Sequence, residues 1–208
     1  MIPLFIDCSG RRIVIFGGGA VAARKAAYFA RDAKVLVVSR SFVHKIGTLP
    51  VKTRSIDIGA ATDAKLATLI GDAFLVIAAL SEPVQNNRIG RICKKKGVLF
   101  NNADGKAGDV ILPAVSAGEN YTIAISTGGS SPSVARFIRE YLELELPELD
   151  AMIALQCRMR EGLKKNVPDQ ARRTEILRKT IEDQAIWKLL KSDPARAWNQ
   201  VSERYLDG

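Results

Sequence analysis

Residues 13–25 read IVIFGGGAVAARK, a β-branched apolar run followed by three glycines and a series of small residues. The spacing G-x-G-x-x-[GA] is typical of a strand–turn–helix unit that binds a dinucleotide. Its first glycine permits the tight turn, its second lets the backbone approach a pyrophosphate, and its small third residue lets the helix pack on the strand. A glycine-rich turn without a ligand is the alternative, and the strand-to-helix context favours binding. We predict cofactor contacts at Gly17, Gly19, Ala20, Val21 and Ala22.

The second predicted strand, residues 34–38, ends in Ser39, Arg40 and Ser41. In an NAD site an acidic residue usually stands here, about 20 residues after the first glycine, and binds the ribose 2′-hydroxyl. We predict that these three residues lie beside the adenosine ribose. Arg40 fits the 2′-phosphate of NADP, and it equally fits a solvated charge at a strand end. The sequence therefore leaves NADP open as an alternative to NAD.

Strand and helix patterns alternate over the first 113 residues. Strands are predicted near 12–16, 34–38, 51–55, 73–79 and 97–101, and helices near 20–31, 62–70 and 83–96. Strands separated by helices form right-handed βαβ units, so the predicted fold class is α/β with a Rossmann-type doubly wound parallel sheet. Ligands bind at the carboxyl ends of such strands. The fourth strand ends in Ala78 and Ala79, whose small side chains leave room for a flat cofactor ring.

The pattern changes after Pro113. Residues 121–125 predict one more strand, residues 126–131 a loop and residues 132–146 a helix, and only helical patterns follow Pro147. We therefore divide the chain into a dinucleotide-binding Rossmann domain (1–113), a small α+β domain (114–147) and a C-terminal helical domain (148–208).

The chain carries a formal net charge of +9 over 208 residues. An excess of this kind either serves solubility or attracts a nucleic acid, an acidic membrane or a polyanionic small molecule. Aromatic residues make up only 6% and are not interleaved with basic ones, which argues against a platform on which single-stranded nucleic acid stacks. No apolar run approaches the roughly 20 residues of a membrane span. We expect neither a nucleic-acid nor a membrane partner, and the charge by itself leaves solubility and an anionic small molecule open.

Cysteine and histidine are sparse. Cys8, Cys93 and Cys157 lie far apart, and His44 is the single histidine. This spacing matches no metal site, so no metal is predicted. An odd number of scattered cysteines indicates a reducing cytoplasm.

Two polar segments are candidates for chemistry. Asp104 follows the fifth strand, which we expect to end beside the nicotinamide, where a carboxylate can accept a proton. Spacing alone favours a simpler interpretation of Asp104 and Gly105 as a turn. The loop Ser126–Pro132 is either an anion site before a helix N-terminus or an ordinary capped loop.

Together these segments resemble the precorrin-2 dehydrogenase family, the dehydrogenase module of siroheme synthases. The matching motifs occur in the family's order within residues 1–146. They are PLF at 3–5, the glycine motif with Arg24 and Lys25, VIAA at 76–79, Asn86, Asn101 with Asp104, Pro113 with Ala114, ISTGG at 125–129, SP at 131–132 and AR at 135–136.

The resemblance implies NAD-dependent oxidation of precorrin-2 to sirohydrochlorin by a homodimer, with residues 114–147 as the dimerisation domain. It implies that Asp104 is the acid/base residue and that the tetrapyrrole contacts Asn101, Ser126, Thr127 and Gly128. Precorrin-2 is a polycarboxylate, the kind of anion that a basic protein attracts. Some family members also insert iron into sirohydrochlorin, and the resemblance leaves that activity open.

A dinucleotide-sensing regulatory module without turnover is the alternative function. It accounts for the glycine motif and the C-terminal helices. It gives no reason for Asn101 and Asp104 to occur together with the loop Ser126–Pro132.

Overall fold

The computed structural model describes residues 2–104 and 108–206, and the chain divides into two compact units at Leu112 and Pro113. In the first unit, strands alternate with helices. The elements are β1 (Arg12–Phe16), α1 (Ala20–Phe29), β2 (Lys34–Ser39), α2 (His44–Gly47), β3 (Lys52–Ser55), α3 (Asp63–Ile70), β4 (Leu75–Ala78), α4 (Pro83–Lys96) and β5 (Leu99–Asn102).

The five strands form one sheet in the order β3-β2-β1-β4-β5, and every pair is parallel. The predicted Rossmann-type α/β fold is therefore confirmed. The strand order reverses between β1 and β4, and in open α/β sheets ligands bind at this switch point. The fold thus places a ligand crevice beyond the carboxyl ends of β1 and β4.

Helices cover both faces of the sheet. On one face, Ala22, Ala23 and Ala26 of α1 pack in a fully buried cluster with Ile13 and Ile15 of β1. On the other face, Leu66 of α3 and Ile89 of α4 belong to a buried cluster with Val14 and Phe16, the alternate residues of β1. Every residue of β4 is buried, as expected for a strand covered on both sides.

The second unit begins with an antiparallel pair of strands and continues as helices. Its elements are β6 (Ala114–Ala117), β7 (Thr122–Ile125), α5 (Pro132–Glu145), α6 (Leu149–Asn166), α7 (Gln170–Glu182), α8 (Gln184–Ser192) and α9 (Pro194–Tyr205). We did not predict β6, because its sequence AVSA lacks the β-branched pattern of a strand.

Aspartates shape this second unit. Asp169, Asp183 and Asp193 each accept a backbone hydrogen bond at a helix start, which fixes the breaks between helices. Asp150 accepts hydrogen bonds from the backbone N–H groups of Glu119 and Asn120, and these bonds lower the pKa of Asp150. The turn between β6 and β7 is thereby held on α6.

Within the part of the chain that the structure describes, no helix is both long and apolar enough to cross a bilayer.

Candidate functional site

A cleft of about 770 Å³ opens at the carboxyl ends of the strands in the first unit. Four segments line it: residues 17–21 after β1, 39–43 from the last residue of β2 onward, 57–60 after β3 and 79–82 after β4, together with Gln85. Most of the predicted cofactor residues belong to this lining, namely Gly17, Gly19, Ala20, Val21, Ser39, Arg40, Ser41 and Ala79. Ala22 and Ala78 do not line the cleft, because both are fully buried in the core.

The three glycines have different environments. Gly17 has a φ of 126°, and a Cβ atom there would collide with the carbonyl of Ala79. A Cβ atom at Gly18 would collide with the carbonyl of Ser41. At Gly19, which caps the N-terminus of α1, a Cβ atom would meet nothing within 4 Å. The first two glycines therefore close the turn, while the third leaves open space above the helix N-terminus.

This arrangement fits a dinucleotide. The first N–H groups of a helix have no partner within the helix, and the helix dipole adds a partial positive charge there. Open space at Gly19 lets a pyrophosphate reach those groups.

The end of the cleft formed by the residues after β2 and β3, where we predict the adenosine ribose (the ribose end), holds an ion pair that we did not predict. Arg40 Nη1 lies 3.6 Å from Asp57 Oδ2, and Asp57 follows β3 rather than β2. The Ser55 hydroxyl donates a hydrogen bond to the carbonyl of Arg40 (3.2 Å), which fixes the backbone of that residue. An acidic residue just after the neighbouring strand is the sequence signal that would have identified Asp57.

At the other end, Asn86 links the cleft wall to Asp104. Asn86 is fully buried on α4, and its Oδ1 accepts a hydrogen bond from the N–H of Leu80 (3.1 Å). Its Nδ2 donates to the carbonyl of Leu80 (3.1 Å) and to Oδ2 of Asp104 (2.9 Å). Asp104 is otherwise exposed, and its N–H donates to Oδ1 of Asn102 (3.1 Å). Gly105, the second residue of the predicted turn, lies outside the described residues.

Asn101 lies inside the first unit rather than in the cleft lining. It is 5% exposed; its Oδ1 accepts a hydrogen bond from Nζ of Lys25 (3.1 Å), and its Nδ2 donates to the carbonyl of Val110 (2.8 Å). Burial lowers the pKa of Lys25, and the neighbouring charge of Arg24 lowers it further. The Asn101 amide thus joins α1 to β5, and its role toward a substrate stays a prediction.

The predicted substrate loop belongs to the second unit. The hydroxyl oxygen of Ser126 accepts from the N–H of Gly128 (3.1 Å), and that of Thr127 accepts from the N–H of Ser131 (3.0 Å). The hydroxyl of Ser131 caps α5 by accepting from the N–H of Val134 (3.4 Å). Both Ser126 and Thr127 keep an O–H to donate, so the loop retains donors for an anion.

No group of three or more His, Cys, Asp or Glu side chains within residues 2–104 and 108–206 is placed to hold a metal ion.

Several known proteins are similar to this chain in sequence or in fold. Residues 4–114 match the family described as "Putative NAD(P)-binding". The chain is 41% identical to a precorrin-2 dehydrogenase of Methanosarcina barkeri over 209 residues, which cover 98% of this chain and 88% of that one. It is 29% identical to a siroheme synthase of Pseudomonas aeruginosa, with 100% of this chain and 44% of that protein covered. The solved structure of SirC, a precorrin-2 dehydrogenase, has the same fold, with a TM-score of 0.71, 21% identity and coverage of 98% and 100%.

Proposed function

Because the chain belongs to the precorrin-2 dehydrogenase family, we propose that it oxidises precorrin-2 to sirohydrochlorin with NAD⁺ as the oxidant. The reaction removes one hydride and one proton from the substrate. When bound, NAD⁺ supplies the acceptor for the hydride. The chain itself must therefore position the cofactor, bind a polycarboxylate and accept the proton.

The observation that carries the proposal is the joint placement of the glycine turn and Asp104 at one edge of the sheet. Asn86 fixes one oxygen of the Asp104 carboxylate and also both backbone groups of Leu80, a residue of the cleft wall. Among the described residues, none donates a hydrogen bond to the other carboxylate oxygen, Oδ1, which is available to accept a proton. A fixed carboxylate beside the cleft is what the deprotonation step requires.

The positive charge of the chain favours the binding of an anionic substrate. A net charge of +9 attracts a polycarboxylate from solution and raises its rate of encounter. We place the substrate carboxylates against Ser126, Thr127 and Gly128, where the hydroxyl groups of Ser126 and Thr127 each keep an O–H to donate to an anion. The proposal covers the dehydrogenation alone and not iron insertion.

Turnover is the direct test. The purified chain, given precorrin-2 and NAD⁺, is expected to form NADH and sirohydrochlorin in equal amounts, followed by the absorbance of both products. Tight binding of NAD⁺ without any NADH formation would instead support the regulatory module as the function.

We also propose that the chain acts as a homodimer, because α5 carries a stripe of exposed apolar side chains. Val134, Phe137, Ile138, Tyr141 and Leu144 are 47%, 65%, 37%, 52% and 74% exposed, and their spacing of three and four residues places them on one face. Ion pairs of Arg with Glu occupy other positions of the helix. Exposed apolar patches of this kind mark protein interfaces. A second copy presents the same stripe, as a two-fold interface requires.

Charge placed in the stripe is expected to separate the dimer. The double variant Phe137→Glu/Leu144→Glu should sediment as a monomer at micromolar concentration, because it buries two carboxylates in the interface. Wild type and the control Ile181→Glu, which changes a residue 46% exposed on α7, should both sediment as dimers. A monomeric wild type, or a dimeric double variant, would disprove the assignment of α5 to the interface.

The cytoplasm is the compartment that we propose. Cys8, Cys93 and Cys157 are all free thiols, as a reducing compartment favours. Burial raises the pKa of Cys93 to about 12, which disfavours the thiolate, and the side chain packs in the core with Val76 and Phe100.

A further inference from the structure

The ribose end of the cleft departs from the usual NAD site in a specific way. The acidic residue expected after β2 is absent, and the sequence there is Ser39, Arg40 and Ser41. A carboxylate nevertheless lines the same part of the cleft, supplied by Asp57 after β3. The charged residues of the cleft lining are Arg40, Asp57 and Glu82.

Backbone hydrogen bonds fix one oxygen of the Asp57 carboxylate. Its Oδ1 accepts hydrogen bonds from the backbone N–H groups of Gly59 (2.9 Å) and Ala60 (3.2 Å). Its other oxygen, Oδ2, faces Arg40 at 3.6 Å. One oxygen therefore shapes the loop, while the other remains at the cleft with the guanidinium.

Arg88 fixes the loop that carries Asp57. From α4, its guanidinium donates to the carbonyls of Ile58 (3.2 Å) and Ala61 (2.6 Å), and to Oδ1 of Asp63 (2.6 Å). The Arg88 side chain is only 19% exposed, and its bonds to the two carbonyls are partly buried, whereas its bond to Asp63 lies at the surface. The position of the Asp57 carboxylate is thus set before any ligand arrives.

We propose that Asp57, together with Arg40, makes this site select NAD over NADP. Asp57 takes over the role of the missing acid after β2: it accepts a hydrogen bond from the ribose 2′-hydroxyl and repels a 2′-phosphate. Its ion pair also withholds Arg40 from a 2′-phosphate. The inference rests on the placement of the dinucleotide in this cleft, and not on the identity of the oxidised substrate.

The ion pair itself contributes little to folding. Its side chains are 73% and 48% exposed, and exposed ion pairs stabilise proteins only weakly. Asp57→Asn also keeps the oxygen that accepts from Gly59 and Ala60. The variant should therefore fold like wild type and change only the charge presented to the ligand.

Direct binding of both dinucleotides to the free, full-length chain tests the proposal by calorimetric titration. Wild type should bind NAD⁺ more tightly than NADP⁺, and Asp57→Asn should shift the ratio of the two dissociation constants toward NADP⁺ by about tenfold or more. Adding Arg40→Gln to Asp57→Asn should abolish that gain. The control Asp72→Asn removes an exposed carboxylate that precedes β4, at the opposite edge of the sheet, and should leave the ratio unchanged.

A wild-type preference for NADP⁺, or an unchanged ratio in Asp57→Asn, would overturn the proposal. A gain that survives Arg40→Gln would overturn the part assigned to Arg40. If wild type bound neither NAD⁺ nor NADP⁺, the assignment of the cleft as the cofactor site would be wrong, and so would the role proposed for Asp57. Precorrin-2 takes no part in the measurement, so a failure of the proposed reaction would leave these results intact.

Discussion

Asp104→Asn is expected to lower kcat for precorrin-2 oxidation by about 10²–10⁴-fold, because a positioned general base typically contributes that much. The substitution keeps the shape of the side chain, and its amide oxygen still accepts the hydrogen bond from Asn86. Affinity for NAD⁺ and the melting temperature should therefore stay near those of wild type. Single-turnover kinetics with saturating NAD⁺ measures the chemical step directly.

Two controls separate a base from a general charge effect. Asp32→Asn removes an exposed carboxylate in the turn between α1 and β2, and it should leave kcat unchanged. Asn86→Ser shortens the side chain that anchors Asp104, so the single variant should have a lower kcat than wild type. Added to Asp104→Asn, the same substitution should lower kcat little further. Normal turnover by Asp104→Asn would mean that Asp104 is only a turn residue and that solvent accepts the proton.

The parts of the fold that the sequence predicts correctly are those determined by local pattern. The glycine spacing after β1 and the turn-forming residues between elements predict the five strands and the helices α1, α3 and α4 of the first unit to within a few residues, whereas the short helix α2 was not predicted. The continuous apolar run in β4 predicts a strand covered on both faces. These features need no knowledge of distant residues, because periodicity and turn chemistry are properties of short segments.

The features that the sequence does not predict depend on contacts between distant residues. Asp57 meets Arg40 only because β2 and β3 pair in register, with Ser39 opposite Ser55. The amide of Asn101 is occupied by Lys25, which lies 76 residues away in the chain. No periodicity carries such information, so the ion pair and the interior bonding of Asn101 appear only once the sheet is assembled.

Gly19→Asp is expected to weaken NAD⁺ binding by about 10²–10³-fold while leaving the fold intact. A Cβ atom at Gly19 meets nothing within 4 Å, and aspartate is a favourable residue at the N-terminus of a helix. The free protein should therefore melt at or above the wild-type temperature. The bound pyrophosphate, in contrast, would face a carboxylate about 4 Å away, where like charges near a protein surface repel by up to about 4 kcal/mol.

Gly19→Asn is the matched control, because it has the same size and capping ability without the charge. We expect it to lose far less affinity than Gly19→Asp, and the difference between the two should shrink as salt concentration rises, since salt screens the repulsion. Titration of both variants at low and high ionic strength gives the comparison. If wild type and a folded Gly19→Asp variant bound NAD⁺ with equal affinity, the pyrophosphate would not bind at the N-terminus of α1. The cofactor site would then have to lie elsewhere on the protein.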